Sequence, residues 1–460
     1  MVIIMDKKSI FNIFRSYDVR GNDKELTPEV IKEIGKAFAV YEKSKNIVVG
    51  HDMRLNSPQL NKALIEGLTE SGKNVFSIGL VPMGVAMFYA WKNKMTLAYI
   101  TGSHLPKDRN GVKFFHSNGV GFFEHENFKI RDIFMKDESR KGKGIIKIIS
   151  DKETIEKYKK YLISKIKPAR KIKILVDCGN GMAGVFAPSL FKEAGFDVVS
   201  VFENLDGTFP NRMPDPHEDS LTKAVKLSKK TDIGVAYDGD GDRMLILDEK
   251  GRKITPSQTS YFILSELLKT VKGPIVANVE CSGVIDTVAK KFSRKVIRVP
   301  VGHTFLVQGV HKEKAAYGVE ESGHFALPFL VPFDDAMAVS YYTACILSKT
   351  QRKLSEIADD VPKFYNKRFS YKCPDDVKFK LIDTIKKKFS EKYKKINKLD
   401  GVRIDLEEGW VLIRAANTSP IVRITIEAED EKNFLKLKNI FIPLFENEIK
   451  KLGVKVEAEY

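Results

Sequence analysis

The densest run of chemistry-bearing side chains is Ala236-Tyr237-Asp238-Gly239-Asp240-Gly241-Asp242-Arg243, where three carboxylates alternate with glycines and end at a guanidinium. Hard divalent cations take carboxylate oxygens, and glycine between the acids lets one tight loop turn several of them toward a point. Three carboxylates leave net negative charge on a bound Mg2+ and an open coordination position, which suits a phosphate oxygen as the last ligand. Asp-Gly is also a common turn dipeptide, so the run equally fits a solvated turn. A calcium loop is a weaker match because no helix pattern flanks the run.

Three other loops carry reactive or ligand-binding groups. In Thr101-Gly102-Ser103-His104-Leu105-Pro106, Ser103 is a candidate nucleophile or phosphoacceptor. The Gly-x-Ser-x-Gly elbow of a hydrolase is absent. Asn110-Gly111-Val112-Lys113 then reads as a turn and strand that bring Lys113 back beside Ser103. In Gly318-Val319-Glu320-Glu321-Ser322-Gly323-His324, Glu320 and Ser322 stand one residue apart. In an extended segment they share a face and can grip two neighbouring sugar hydroxyls. Gly302-His303 lies close upstream. Arg414-Ala415-Ala416-Asn417-Thr418-Ser419-Pro420 offers the guanidinium, amide, hydroxyl and backbone donors that a phosphate dianion needs. Taken singly, each of these loops also fits an ordinary surface or capping turn.

The elements around these loops repeat. A strand at 47–50, a helix at 57–70 stopped by Gly72 and a strand at 74–78 form one unit. Strand 173–177, helix 185–194 stopped by Gly195 and strand 197–201 form a second. Strand 274–279, helix 283–292 and strand 295–299 form a third. Strands at 231–236 and 244–247 pin the aspartate loop. Each unit fits a right-handed crossover in a mixed sheet covered by helices. The recurrence at roughly 100-residue spacing predicts three related α/β domains. From about residue 361 the pattern changes to a Lys-rich helix (379–393), strands at 401–405, 410–414 and 421–428, and a final helix (433–451), a smaller α+β domain. The expected fold is therefore α/β: three similar domains at 1–150, 151–254 and 255–362, and a fourth at 363–460, around a central cleft.

Among 460 residues the hydrophobic share is 43%, as in a globular enzyme, and no apolar run reaches the length of a membrane span. Residues 1–10 hold no signal-peptide core. Cys178, Cys281, Cys345 and Cys373 are unpatterned, which argues for a reducing compartment and against a zinc site. A cytoplasmic location is expected, with neither membrane nor nucleic acid as partner. The net charge of +17, from 77 basic and 60 acidic residues, is spread through stretches such as 152–173 and 378–398. Without an aromatic-interleaved RNA motif these read as solvated helix faces.

Together and in order, the loops resemble the α-D-phosphohexomutase superfamily, the phosphoglucomutase/phosphomannomutase enzymes. Residues 14–21, with Arg15 and Arg20, resemble its opening signature, and residues 206–216 resemble another of its segments. The resemblance implies that Ser103 carries a phosphoryl group, that Asp238, Asp240 and Asp242 bind Mg2+ with the Ser103 phosphate as a further ligand, and that Arg243 and Lys113 neutralise phosphoryl oxygens. It leaves Arg20, His104 and Lys113 open as handlers of the hydroxyl proton. It assigns Gly302, His303, Glu320, Ser322 and His324 to the sugar, and Arg414, Asn417, Thr418, Ser419 and Arg423 to the non-reacting phosphate. The implied activity interconverts the 1- and 6-phosphates of glucose and mannose through a hexose 1,6-bisphosphate intermediate; phosphoglucosamine mutase is the nearest alternative. A Mg2+ phosphatase and a basic nucleic-acid-binding protein are the rivals from other classes. Monomer and homo-oligomer both stay open. Three residues depart from the family pattern: Leu105 where Asn is frequent, Ala416 where Ser is usual, and Glu280 near a position that is basic in relatives.

Overall fold

A computed structural model of the chain describes residues 10–216, 220–416, 420–453 and 458–459. The described strands form four sheets. The first contains β1 (Val19–Asn22), β2 (Asn46–His51), β3 (Asn74–Leu80), β4 (Thr96–Ile100), β5 (Arg109–Phe115) and β6 (Ile146–Ile148). The second contains β7 (Lys173–Asp177), β8 (Asp197–Val201), β9 (Ile233–Tyr237), β10 (Met244–Leu247) and β11 (Lys253–Ile254). The third contains β12 (Ile275–Asn278), β13 (Val296–Val299), β14 (Tyr317–Val319) and β15 (Phe325–Ala326).

One four-strand arrangement recurs in all three. From one side the orders are β5-β4-β2-β3, β10-β9-β7-β8 and β15-β14-β12-β13. In each, the first pair is antiparallel and the next two are parallel. The strand, helix, Gly, strand pattern is thus a repeated supersecondary unit. In this repeat β4, β9 and β14 are equivalent, and so are β2, β7 and β12. β9 is buried at every position and β7 at all but its first, as parallel strands covered on both faces are.

Local chemistry sets the helix starts. Thr27 Oγ1 accepts from Val30 N at 3.4 Å and Pro28 opens the helix Pro28–Tyr41, whose Ile31, Ile34 and Phe38 face the core. The helix Ser57–Glu70 follows the predicted bounds, and Gly72, at φ +86°, ends it. The helix expected at 185–194 is shorter. A 3-10 turn occupies Met182–Val185 and the α-helix runs Ala187–Glu193, because Pro188 sits best in a first turn.

The fourth sheet contains β16 (Tyr365–Lys372), β17 (Ile396–Asn397), β18 (Val402–Asp405), β19 (Gly409–Ala415), β20 (Ile421–Ala428) and β21 (Ala458–Glu459), every pair antiparallel. Leu381, Ile385 and Phe389 of one helix and Leu437, Phe441 and Phe445 of another share a core with Ile413, Ile424 and Ile426. No helix among the described residues is long and apolar enough to cross a membrane.

Candidate active site

Ser103 lies in the loop that leaves β4. It is 1% exposed, and its φ of +49° is one that L-residues seldom adopt. Backbone strain of this kind persists only where neighbours fix it. Ser103 N donates to Thr101 Oγ1 at 2.7 Å, and the buried Arg54 donates to Ser103 O at 2.9 Å. Arg54 also donates to the carbonyls of Leu105 (2.5 Å), Pro106 (2.6 Å) and Arg109 (2.8 Å), so one guanidinium shapes the whole loop. A Cβ on Gly102 would lie 2.1 Å from Arg54 Nε, which reserves that position for glycine. Asp52, just past β2, accepts from Gly102 N at 3.1 Å.

The aspartate loop leaves the equivalent strand β9 and meets the serine loop. The contact needs glycine: a Cβ on Gly239 would lie 2.4 Å from Ser103 O. Ser103 Oγ donates to Asp238 Oδ2 at 2.9 Å, and Thr101 Oγ1 donates to Asp240 Oδ2 at 3.0 Å. Lys113, opposite Tyr99 on β5, reaches past the serine loop to Asp240 Oδ2 (3.2 Å) and Asp242 Oδ2 (2.7 Å). Asp238 Oδ1 accepts from the amides of Gly241 and Arg243 at 3.0 and 3.1 Å. The three acids are buried, so the solvated-turn reading does not hold.

Their oxygens lie within 4.8 Å of one another. Asp240 Oδ1 and Asp242 Oδ1 are buried without a hydrogen-bond partner. Orphaned carboxylate oxygens in a dry acidic cluster fit a hard divalent cation. The electrostatics agree. Burial, then Asp242 and Asp240, pushes Asp238 well above the usual carboxylate range, and burial and Asp242 raise Asp240. Asp242 resists burial and sits well below that range because Lys113, His324 and Arg243 face it. A bound cation removes the mutual repulsion that protonation otherwise relieves.

His104 Nδ1 is 3.3 Å from Ser103 Oγ. Burial, reinforced by Arg243, Arg20 and Lys113, holds the imidazole well below its ordinary pKa and therefore neutral. Arg20 donates to Thr101 O at 2.7 Å and to Asp18 Oδ2 at 2.6 Å. Lys113 is the opposite case: Asp240 and Asp242 outweigh burial and keep its ammonium charged.

The Glu320 loop leaves β14, the third equivalent strand. It is a turn, not the extended segment expected: Gly323 N donates to Glu320 O at 3.0 Å, with Gly323 at φ +92°. Glu320 and Ser322 still meet, with Ser322 Oγ donating to Glu320 Oε2 at 3.1 Å. Glu320 Oε1 accepts from Gly302 N (2.5 Å) and Asn278 Nδ2 (3.1 Å). His324 ties this loop to the aspartates. Arg243 Nε donates to His324 Nε2 at 3.0 Å, and His324 Nδ1 lies 2.8 Å from Asp334. His303 stacks on His324, and burial lowers its pKa to about 4.

Arg414 is the penultimate residue of β19 and pairs in register with Arg423 on β20. Its Nη2 is 3.0 Å from Asp400 Oδ2 and its Nη1 is 3.3 Å from Glu280 Oε1. Asn417, Thr418 and Ser419 lie outside the described residues. Ala416 O accepts from Lys378 Nζ at 2.7 Å.

Sequence reasoning missed the residues that hold these loops. Arg54 and Asp52 are two. Arg212 and Asp177 serve the aspartate loop in the same way: Arg212 donates to Asp177 Oδ1 at 3.0 Å and to Tyr237 O at 2.6 Å. Asn278 does so for Glu320. Asp52, Asp177 and Asn278 stand at or just beyond the ends of β2, β7 and β12, so superposing the three repeats by eye exposes one acid or amide per repeat.

Comparison with known proteins gives a consistent match. Models described as phosphoglucomutase/phosphomannomutase, alpha/beta/alpha domains I, II and III match residues 12–141, 153–251 and 255–365, and the C-terminal domain model matches 372–443. The chain is 33% identical over 422 residues to a phosphoglucosamine mutase of Methanococcus maripaludis, covering 89% of this chain and 93% of that protein. It is 32% identical over 447 residues to a phosphomannomutase/phosphoglucomutase of Pseudomonas syringae, covering 93% and 94%. A solved structure of a phosphoglucomutase/phosphomannomutase family protein from Burkholderia thailandensis superposes with a TM-score of 0.87 at 26% identity, covering 98% of this chain and 99% of that one.

Proposed function

This chain belongs to the phosphoglucomutase/phosphomannomutase family of the α-D-phosphohexomutase superfamily, and on that premise we propose that it interconverts the 1- and 6-phosphates of glucose and mannose through phosphoserine at Ser103. The observation that carries the reading is the 2.9 Å approach of Ser103 Oγ to Asp238, which joins a hydroxyl of the first repeat to the acids of the second. A divalent cation, for which we propose Mg2+, supplies charge neutralisation at the phosphoryl oxygens when bound among Asp238, Asp240 and Asp242.

In the first half-reaction the bond between Ser103 Oγ and phosphorus breaks and a sugar hydroxyl oxygen takes the phosphoryl group. The hydroxyl proton passes to a base, which hands it to the departing Ser103 oxygen, 3.3 Å from His104 Nδ1, while Arg243 and Lys113 neutralise phosphoryl oxygens. His104 is our choice of base, since it is neutral and next to Ser103, whereas Lys113 is held charged. The resulting hexose 1,6-bisphosphate turns over, and its other phosphate returns to Ser103 by the reverse steps. Glu320 and Ser322 hold sugar hydroxyls, with Gly302, His303 and His324 shaping their wall. Arg414, Arg423 and residues 417–419 hold the phosphate that does not react. The Methanococcus relative favours a second reading, glucosamine phosphate as substrate.

Intact-mass analysis tests the reading. We expect one added phosphate on the wild type and none on Ser103→Ala, together with turnover of glucose 1-phosphate, mannose 1-phosphate or glucosamine 1-phosphate that disappears in the variant. Release of free phosphate that survives Ser103→Ala sinks the mutase reading and points to a phosphatase.

A further inference from the structure

Glu280 is the departure from the family pattern that nothing above uses. It lies just past β12, is 8% exposed, and turns back on Asn278, whose Oδ1 accepts from its amide at 3.2 Å. Its Oε1 lies 3.3 Å from Arg414 Nη1 and 3.3 Å from Arg368 Nη2. Arg368 is on β16 and Arg423 on β20, next to each other in the sheet, and Arg423 faces Arg414. Asp400 takes Arg414 Nη2 at 3.0 Å. Three guanidiniums meet the carboxylates of Glu280 and Asp400 directly, and Glu320 acts on Arg414 from further off. The Nε atoms of Arg414 and Arg423 are buried and have no hydrogen-bond partner among the described residues. The pocket therefore has spare donors but little spare charge. A phosphate dianion needs both.

We propose that Glu280 is the internal counter-ion of the phosphate pocket, displaced by the incoming phosphate and returning when it leaves, so that its charge sets how tightly the non-reacting phosphate is held. The inference rests on the mutase reading of the same site. A bisphosphate intermediate has to let go of this pocket to turn over, and three guanidiniums offset by Asp400 without Glu280 would retain it more tightly. Glu280 is not needed to join the fourth sheet to the third. Glu427 Oε1 accepts from Gly283 N at 2.7 Å, Arg403 donates to Val279 O at 2.8 Å, and Asp400 accepts from Val301 N at 3.0 Å.

The test compares wild type, Glu280→Gln and Glu280→Asp. Inorganic phosphate is titrated into each by calorimetry, and KM and kcat are measured with the hexose 1-phosphate that the wild type turns over. Losing one charge from a partly buried anion site tightens phosphate binding about tenfold. We expect that tightening in Glu280→Gln, with KM and kcat both lowered, and a smaller change of the same sign in Glu280→Asp, which keeps the charge one methylene further from Arg414 and Arg368. Phosphate affinity that is unchanged or weaker in a folded Glu280→Gln overturns the inference; should that variant not fold, Glu280→Ala removes the same charge. A wild type inactive on every sugar phosphate defeats the mutase reading instead, while the phosphate titration still decides the charge effect of Glu280.

Discussion

Asp242 is the acid on which the cation site turns. It is the member of the trio held ionised, and it carries the shorter of the two Lys113 contacts. Asp242→Asn removes that charge and keeps the shape. Turnover is expected to fall about a hundred- to a thousandfold, as when a central electrostatic group is lost. The fold is retained, since Asp240 still pairs with Lys113. The separating measurement is thermal: Mg2+ raises the wild-type melting temperature by mass action, and this rise is absent in Asp242→Asn. Wild-type rates for the chelator-washed variant resupplied with Mg2+ would show the cation to be elsewhere. Glu321, between Glu320 and Ser322, gives a pH prediction. Burial, opposed by the hydroxyl of Ser257, raises its carboxyl from 4.5 to about 7. The folded chain therefore holds a proton that the unfolded chain releases between those values, and stability falls as pH rises through that window. Glu321→Gln, which can still accept from Ser257, should melt with the wild type at pH 5 and above it at pH 8. Equal melting at both values would show that Glu321 carries no such penalty.

At the scale of the element, the serine loop is a backbone shape imposed by one side chain. Arg54 supplies four carbonyl contacts between Ser103 and Arg109, all within 2.9 Å. Arg54→Met fills much the same volume but orphans the buried carbonyl of Ser103, worth about 1–3 kcal/mol, and releases the part-buried carbonyls of Leu105, Pro106 and Arg109 to water. We expect a drop in melting temperature of several degrees and a loss of phosphoserine, while far-UV circular dichroism stays that of the wild type. Full phosphorylation of Ser103 in this variant would show that the loop is shaped by its own sequence. This arrangement also explains what the sequence made legible. Strand 197–201 was readable from its apolar run after Gly195, and 421–428 from its apolar residues after Pro420, because these signals are local. The acids at 238, 240 and 242 were readable because their spacing is itself the chemistry. Arg54 was hidden, since its meaning lies in carbonyls some 50 residues away and no local pattern marks it. The Glu320 turn was missed because Gly323, free to take a positive φ, reverses the chain within the stretch read as extended.

At the scale of the molecule, the hydrophobic core is divided unequally. One cluster runs without a break through the first three repeats, from Val48 and Tyr99 through Ile174 and Val235 to Ile275 and Val319. The fourth unit keeps its own core. It meets the third repeat through a small apolar contact of Val279, Trp410 and Leu412, bordered by the polar contacts of Glu427, Arg403 and Asp400. A unit joined in this way can swing, and under the proposed function it would close over the substrate and keep water from Ser103. It should also unfold by itself. The chain has two tryptophans, which makes this measurable. Trp91 packs among Tyr161, Phe88 and Phe333 in the shared core, and Trp410 sits at the junction with its Nε1 on Glu427 at 2.7 Å. In Trp91→Phe, Trp410 emission alone reports on the junction. In urea its midpoint should fall below that of far-UV ellipticity, because the junction buries far less apolar surface than the shared core. A hexose phosphate that contacts both sides should draw the two midpoints together. Coincident midpoints without ligand would mean that the fourth unit is cooperatively fused to the other three, and closure by swinging would then have to be abandoned.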